Sequence, residues 1–173
     1  MPGYEPLARE LLTPRLRLTV LGVADAPAMR GIWAERPGEA ALTPAQARDR
    51  VSQRVTECEL TGIHCFALRL HGSAGVFGYC GLVTGRTGLD EPELAYELLP
   101  HMHNHGYATE AASAVIPAAA ATGRSRLWST VRAWNTPSLR VLAKNGFTRD
   151  HSEWDDHGEV IYLRRELRPA STT

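Results

Sequence analysis

Between Glu93 and Thr122 the chain passes from a period-two run, through a histidine-rich loop, into a long period-3.6 run. Pro92 places the start of the regular strand after it, and Glu93 to Leu99 alternates as a strand does. Gly106 to Thr122 puts Ala108, Ala111, Ala112, Val115, Ile116 and Ala119 on one broad face, which predicts a helix ended by Gly123. Pro117 lies inside that helix, removes one backbone hydrogen bond and is expected to bend it. A strand that opens onto a helix through so short a loop ties the fold to a sheet with helices packed on it.

The flanking segments extend this frame. Leu11 to Val20 alternates apolar and polar residues and reads as one half-buried strand. Asp25-Ala26-Pro27 is a cap followed by proline, so a helix is expected from Ala26 to about Ala34. Thr43-Pro44 repeats the signal ahead of a polar, amphipathic helix through Glu59, ending near Thr61-Gly62. His64–Leu70 and Val76–Val83 read as strands joined by a turn at His71-Gly72-Ser73. Arg126–Val131 is a short apolar strand, and Asn135 caps a helix over Thr136–Asn145 that Gly146 ends. Phe147–Trp154 and Val160–Leu167 are strands around the turn Asp155–Gly158. The order predicts a mixed α/β sheet with helices on both faces, in a single domain over 1–173 with its core at about 11–168 and a frayed polar tail at 169–173.

Composition narrows the function. The 173 residues carry 19 Lys+Arg against 19 Asp+Glu, so no global field draws the chain to nucleic acid or to an anionic membrane. The longest apolar stretch, Ala114–Ala121, is too short to span a bilayer, and Met1–Pro6 has no signal-peptide pattern, so a cytoplasmic location is expected. Cys58, Cys65 and Cys80 form neither a CxxC pair nor an even set, and buried free thiols are expected. No Gly-x-x-x-x-Gly-Lys-Ser/Thr motif occurs, which removes the common nucleoside-triphosphate fold.

The loop His101–His105 opens the helix at Gly106-Tyr107-Ala108. Small residues there let backbone approach a ligand, and the first helix amides are unpaired and suit a pyrophosphate. A plain helix start with an incidental glycine reads the same residues equally well. His101, His103 and His105 alternate as a metal site would, yet no carboxylate or cysteine completes the set, so no metal is expected.

At these residues the sequence resembles the GNAT superfamily of N-acetyltransferases, and most closely the branch of ribosomal-protein N-terminal acetyltransferases. Their coenzyme A loop reads Arg/Gln-x-x-Gly-x-Gly/Ala, where this chain has His103-Asn104-His105-Gly106-Tyr107-Ala108. Thr13-Pro14-Arg15-Leu16-Arg17-Leu18, Glu93-Leu94-Ala95-Tyr96, Gly106–Ala111, and Asn135, Ser138, Lys144, Gly146 and Phe147 match further motifs of that branch in order, over about Leu11–Leu167. The departures are His103 and His105 in place of Arg-like residues, Asn104 for a common glycine, and Leu142 where many members carry a tyrosine. The resemblance implies a largely antiparallel, seven-stranded mixed sheet, acetyl-CoA as co-substrate and an amine as acceptor. It implies coenzyme A contacts at Leu98, His103, Asn104, His105, Gly106, Tyr107, Ala108, Thr109, Asn135 and Ser138. It also implies that backbone amides around Leu98 polarise the thioester carbonyl and that Ser138 helps the thiolate leave; local capping explains Asn135 and Ser138 as well.

Glu93 and Glu97 share one strand face and are candidate proton acceptors, Glu97 being nearer the loop; a pair of surface-facing carboxylates is the alternative. A base is needed because an amine is largely protonated at neutral pH. Direct attack of the amine in a ternary complex is the expected mechanism, with Cys65 and Cys80 excluded as acyl carriers by their apolar strands. The acceptor, a protein N-terminus or a small-molecule amine, is not specified, although Glu35, Glu39, Asp155 and Asp156 on the expected rim suit a cationic one. A non-catalytic acyl-CoA-binding module is the alternative function, and assembly as a homodimer is left open.

Overall fold

The computed structural model describes residues 3–167; the predicted tail at 169–173 lies outside them. The elements are β1 (Glu10–Leu12), β2 (Leu16–Val20), α1 (Ala26–Ala34), α2 (Pro44–Thr61), β3 (Cys65–Leu70), β4 (Gly78–Val83), β5 (Glu93–Leu98), α3 (Tyr107–Ala121), β6 (Arg126–Arg132), α4 (Thr136–Lys144), β7 (Thr148–Asp155) and β8 (Gly158–Glu166). The sheet order is β1-β2-β3-β4-β5-β6-β8-β7. Every neighbouring pair is antiparallel except β5–β6, which is parallel.

The sheet has eight strands where seven were expected, because the single strand predicted over Leu11–Val20 is two. Pro14 has no amide for a ladder, and Thr13 closes a tight turn around it. The Thr13 amide donates to the Leu16 carbonyl at 3.0 Å, and the Leu16 amide donates to Thr13 Oγ1 at 2.9 Å. The chain therefore reverses, pairing Leu11 with Leu18. Leu16 and Leu18 go into the core while Leu12, in phase with them on paper, is 67% exposed.

The central strands are buried on both faces. In β3, Phe66 and Leu68 pack under α3 with Leu16, Leu18, Ala112, Val115 and Leu127. Cys65 and Ala67 face α1 and α2 with Met29, Trp33, Ala47, Val51 and Tyr79. The alanines of α3 bring that helix close to the sheet. Pro117 lies on its exposed side, where the carbonyl it leaves unpaired is open to water, and the helix runs on to Ala121. Gly81 is required by an equally close approach: a Cβ there would lie 2.4 Å from the Cys65 Cα and the His64 carbonyl oxygen.

His64 carries a pH dependence. It is buried, with Nε2 donating to the Ala8 carbonyl at 3.0 Å. That leaves Nδ1 to accept the Cys58 thiol at 3.4 Å. Burial depresses its pKa from 6.5 to about 4, against the opposing pull of the Ala8 bond. Between these values the unfolded chain binds the extra proton. His64 therefore contributes its full stability above about pH 6.5, and that contribution is lost as pH falls toward about 4. Melting temperatures from pH 7 to 4 should drop less steeply in His64→Gln than in the parent; parallel curves would mean that the imidazole is charged in the fold.

Candidate active site

The parallel pairing of β5 with β6 is confined to Glu93 opposite Trp128, with the Ser129 hydroxyl adding one bond to the Leu94 carbonyl at 2.9 Å. On its other edge β5 stays laddered to β4 as far as Leu98 opposite Gly78. From Ala95 onward no backbone ladder joins β5 to β6, which leaves a cleft between their carboxyl ends, the place where α/β sheets hold ligands. The helices α3 and α4 both begin at this mouth, capped by Gly106 and Asn135.

On the α3 side the loop is shaped to present amides. Asn104 (φ 62°) and Gly106 (φ 78°) are both left-handed. Among the described residues, the amides of Asn104 to Thr109 have no acceptor. Unpaired donors at a helix N-terminus are suited to an anion. The loop is held from outside by Arg15. Its Nε donates to Glu110 Oε2 at 2.6 Å and its Nη1 to the His105 carbonyl at 2.8 Å, while its guanidinium lies 4.5 Å from the Tyr107 ring centroid. Glu110 Oε1 also accepts the Thr13 hydroxyl at 2.6 Å and the Arg15 amide at 2.9 Å. Although burial raises the Glu110 pKa, these hydrogen bonds outweigh it and hold the carboxyl below its ordinary value. The two histidines are turned onto the loop itself. His103 Nε2 donates to the Leu98 carbonyl at 2.9 Å, and His105 Nδ1 to the His103 carbonyl at 2.7 Å. His105 also stacks on Tyr107 at 5.5 Å. Both imidazoles remain at the exposed edge of the loop.

Ser138 meets Tyr96 across the cleft. The Tyr96 hydroxyl lies 2.9 Å from the Ser138 carbonyl and 2.8 Å from its Oγ. A carbonyl only accepts, so Tyr96 donates to it and the Ser138 hydroxyl donates to Tyr96. Burial pushes the Tyr96 phenol upward, against the effect of Ser138, and keeps it protonated. The Asn135 side chain accepts the Ser138 amide at 3.3 Å, which is the capping role. Leu142 is fully buried in the core.

Glu93, Ala95 and Glu97 point to the opposite face. Glu93 is buried, accepting the Thr130 hydroxyl at 2.7 Å and, in a short contact, the Arg86 amide. A Cβ on Gly85 would overlap its carboxylate, so the β4–β5 turn is folded down on Glu93. Glu97 is partly exposed. Arg36 grips it through Nε at 2.9 Å and Nη2 at 2.8 Å, and the Tyr79 hydroxyl donates at 3.2 Å. Burial works against the Arg36 charge, but the bond to Glu97 prevails and raises its pKa. Beside Tyr79 and Ala95 a groove of about 420 Å³ runs along α2, lined by Arg50, Gln53, Arg54 and Glu57. Two of the acids expected on the rim are already matched: Glu39 lies 3.2 Å from Arg36, and Asp155 lies 2.7 Å from Arg132.

Arg36, Tyr79, Arg15 and Glu110 carry no local signal of these roles. The register that sets Tyr79 opposite Glu97 is the one pairing that strand alternation gives a means to find. Cys65 and Cys80 are buried, and burial pushes both thiols up, Cys65 to about 11, so neither is a thiolate. Among the described residues no three His, Cys, Asp or Glu side chains gather as a metal site, and no helix is long and apolar enough to cross a membrane.

The description of the acetyltransferase (GNAT) domain matches residues 15–148, most of the chain and all of the cleft. The chain belongs to the GNAT acetyltransferases. Solved structures agree with this GNAT domain in fold. A Bordetella pertussis protein assigned to the GnaT-family acetyltransferases superposes with a TM-score of 0.81 at 24% identity, over 91% of this chain and 99% of its own. A Salmonella typhimurium acetyltransferase, with its cofactor acetyl-CoA, gives 0.72 at 16% identity over 91% and 96%. Mycobacterium smegmatis RimJ, in complex with CoA-disulfide, gives 0.73 at 19% identity over 87% and 81%. A comparison with curated proteins gives no match.

Proposed function

We propose that this GNAT domain moves an acetyl group from acetyl-CoA to a primary amine by direct attack in a ternary complex. The observation that carries the reading is the cleft between β5 and β6, with unpartnered amides on one face and Glu97 on the other. The unpaired amides of Asn104–Thr109 suit a pyrophosphate, and the αL backbone at Gly106 shapes the start of that helix. Leu98, His103, Asn104, His105, Gly106, Tyr107, Ala108 and Thr109 are the proposed coenzyme A contacts, with Asn135 and Ser138 at the far side of the mouth. The thioester then lies between Ser138 and Ala95, within reach of a nucleophile from the groove.

The amine nitrogen attacks the thioester carbon and the C–S bond breaks. Glu97 takes the amine proton directly or through water, and Arg36 holds the carboxylate in place. The Ser138 hydroxyl, which donates to Tyr96 at rest, turns its one proton to the sulfur and stabilises the leaving thiolate. Glu93 supports this arrangement from beneath by fixing β6 and the turn to β5. Positioning and charge stabilisation supply most of the rate.

The test is a screen of small amines and N-terminal peptides with acetyl-CoA, read as free thiol release and as the mass of the acetylated amine. Turnover on any amine supports the reading. Tight coenzyme A binding with no turnover across both classes favours the binding-module alternative.

A further inference from the structure

The groove beside Ala95 holds more positive charge than its own acids match. Arg50, Arg54 and Glu57 line it together with Gln53. Arg54 is half-buried and, among the described residues, has neither an ion-pair partner nor a hydrogen-bond acceptor. Arg50 is held in place, its guanidinium 4.5 Å from the Trp33 ring centroid and 3.9 Å from Glu39. Burial, and after it the Arg36 charge, lower the Arg50 pKa, as expected where cations crowd. Nearer the cleft the sign reverses, since Glu97 sits against Tyr79 on the groove wall. The planar fork of a guanidinium without a partner is shaped for a carboxylate.

We propose that the acceptor is an amine that also carries a carboxylate, with Glu97 drawing the ammonium end and Arg54 anchoring the acid end. This rests on the acetyl-transfer reading for the position of Glu97, but the charge of the groove is independent of turnover. Arg54 acts on binding, so its loss should appear in KM and leave kcat on a saturating acceptor nearly unchanged. Gln53 and Arg50 complete the donor set around the acid.

The experiment compares each amine as carboxylate and as carboxamide. One arm sets small amino acids against their C-terminal amides. The other sets N-terminal peptides with Asp or Glu at the second and third positions against Asn or Gln there. Both arms are read twice, by acetyl transfer and by calorimetric binding in the presence of coenzyme A, for the parent, Arg54→Gln and Arg54→Glu. The expected result is a preference for the carboxylate form in one arm, which identifies the source. Arg54→Gln should cut that preference about tenfold, the size of one lost charge-assisted hydrogen bond, and Arg54→Glu should invert it. Equal use of both forms by the parent, or a preference that survives Arg54→Gln, would overturn the proposal. A preference in binding with no transfer would uphold the groove and sink the acetyl-transfer reading instead.

Discussion

Gly106→Val should weaken coenzyme A binding on the order of 100-fold or more while the sheet stays folded. Gly106 caps α3 at φ 78°, a conformation that a β-branched residue adopts only as an outlier. A Cβ there meets Arg15 Nη2 at 3.4 Å, so relief by moving outward also disturbs the residue that braces the loop. Once the backbone rotates, the amides of the first turn no longer converge. Losing two of their bonds to a charged ligand is enough for this factor. Calorimetry measures the affinity, and a thermal melt beside it separates loss of the cradle from loss of the fold. Gly106→Ala, with less crowding at the same φ, should give a smaller loss. Unchanged affinity in the valine variant would place the cofactor elsewhere.

Glu97→Gln should lower kcat by about 10²–10⁴-fold, the usual contribution of a positioned general base. The glutamine keeps the shape and still accepts from Arg36 and Tyr79, so the groove and its arginines stay close to their places. What disappears is the capacity to take a proton. The acidic limb of the rate profile should vanish with it, while the limb set by the amine remains. Tyr79→Phe removes one donor and leaves the base, and should cost much less. A Glu97→Gln enzyme with a normal rate and an unchanged profile would transfer the role to solvent or to another group.

The sequence makes the facing of side chains legible and leaves their partners hidden. Alternation set Glu93, Ala95 and Glu97 on one side of β5, and it was silent on Arg36, which lies in the turn after α1 and reaches Glu97 across 61 positions. For the same reason Glu93 and Glu97 looked alike: only the Gly85 turn closing over Glu93, and Arg36 closing over Glu97, separate a buried clamp from an accessible carboxylate. Caps and glycines were the most readable features, because a proline after Thr43 or a glycine at 62 acts on the local backbone alone. The error at Leu11–Val20 has a matching cause. Period-two alternation continues in phase through a tight turn, and only the missing amide of Pro14 marks where the ladder ends. Thr13, Arg15 and Glu110 were visible as matching motifs, but that they touch one another follows from the chain reversal at Pro14.

That contact between Arg15 and Glu110 spans 95 positions. The proposed phosphate cradle therefore depends on a contact between distant parts of the chain. Its amides all belong to a short stretch late in the first two-thirds of the chain, yet the strut that braces their helix is delivered by the opening hairpin. Without that hairpin beside α3, the helix start lacks the bonds of Thr13 and Arg15 to Glu110 and of Arg15 to the His105 carbonyl. Cofactor affinity is in this sense a report on the joining of distant parts of the chain, and damage to β1 or β2 would be felt first as a loss of ligand, before any loss of the core.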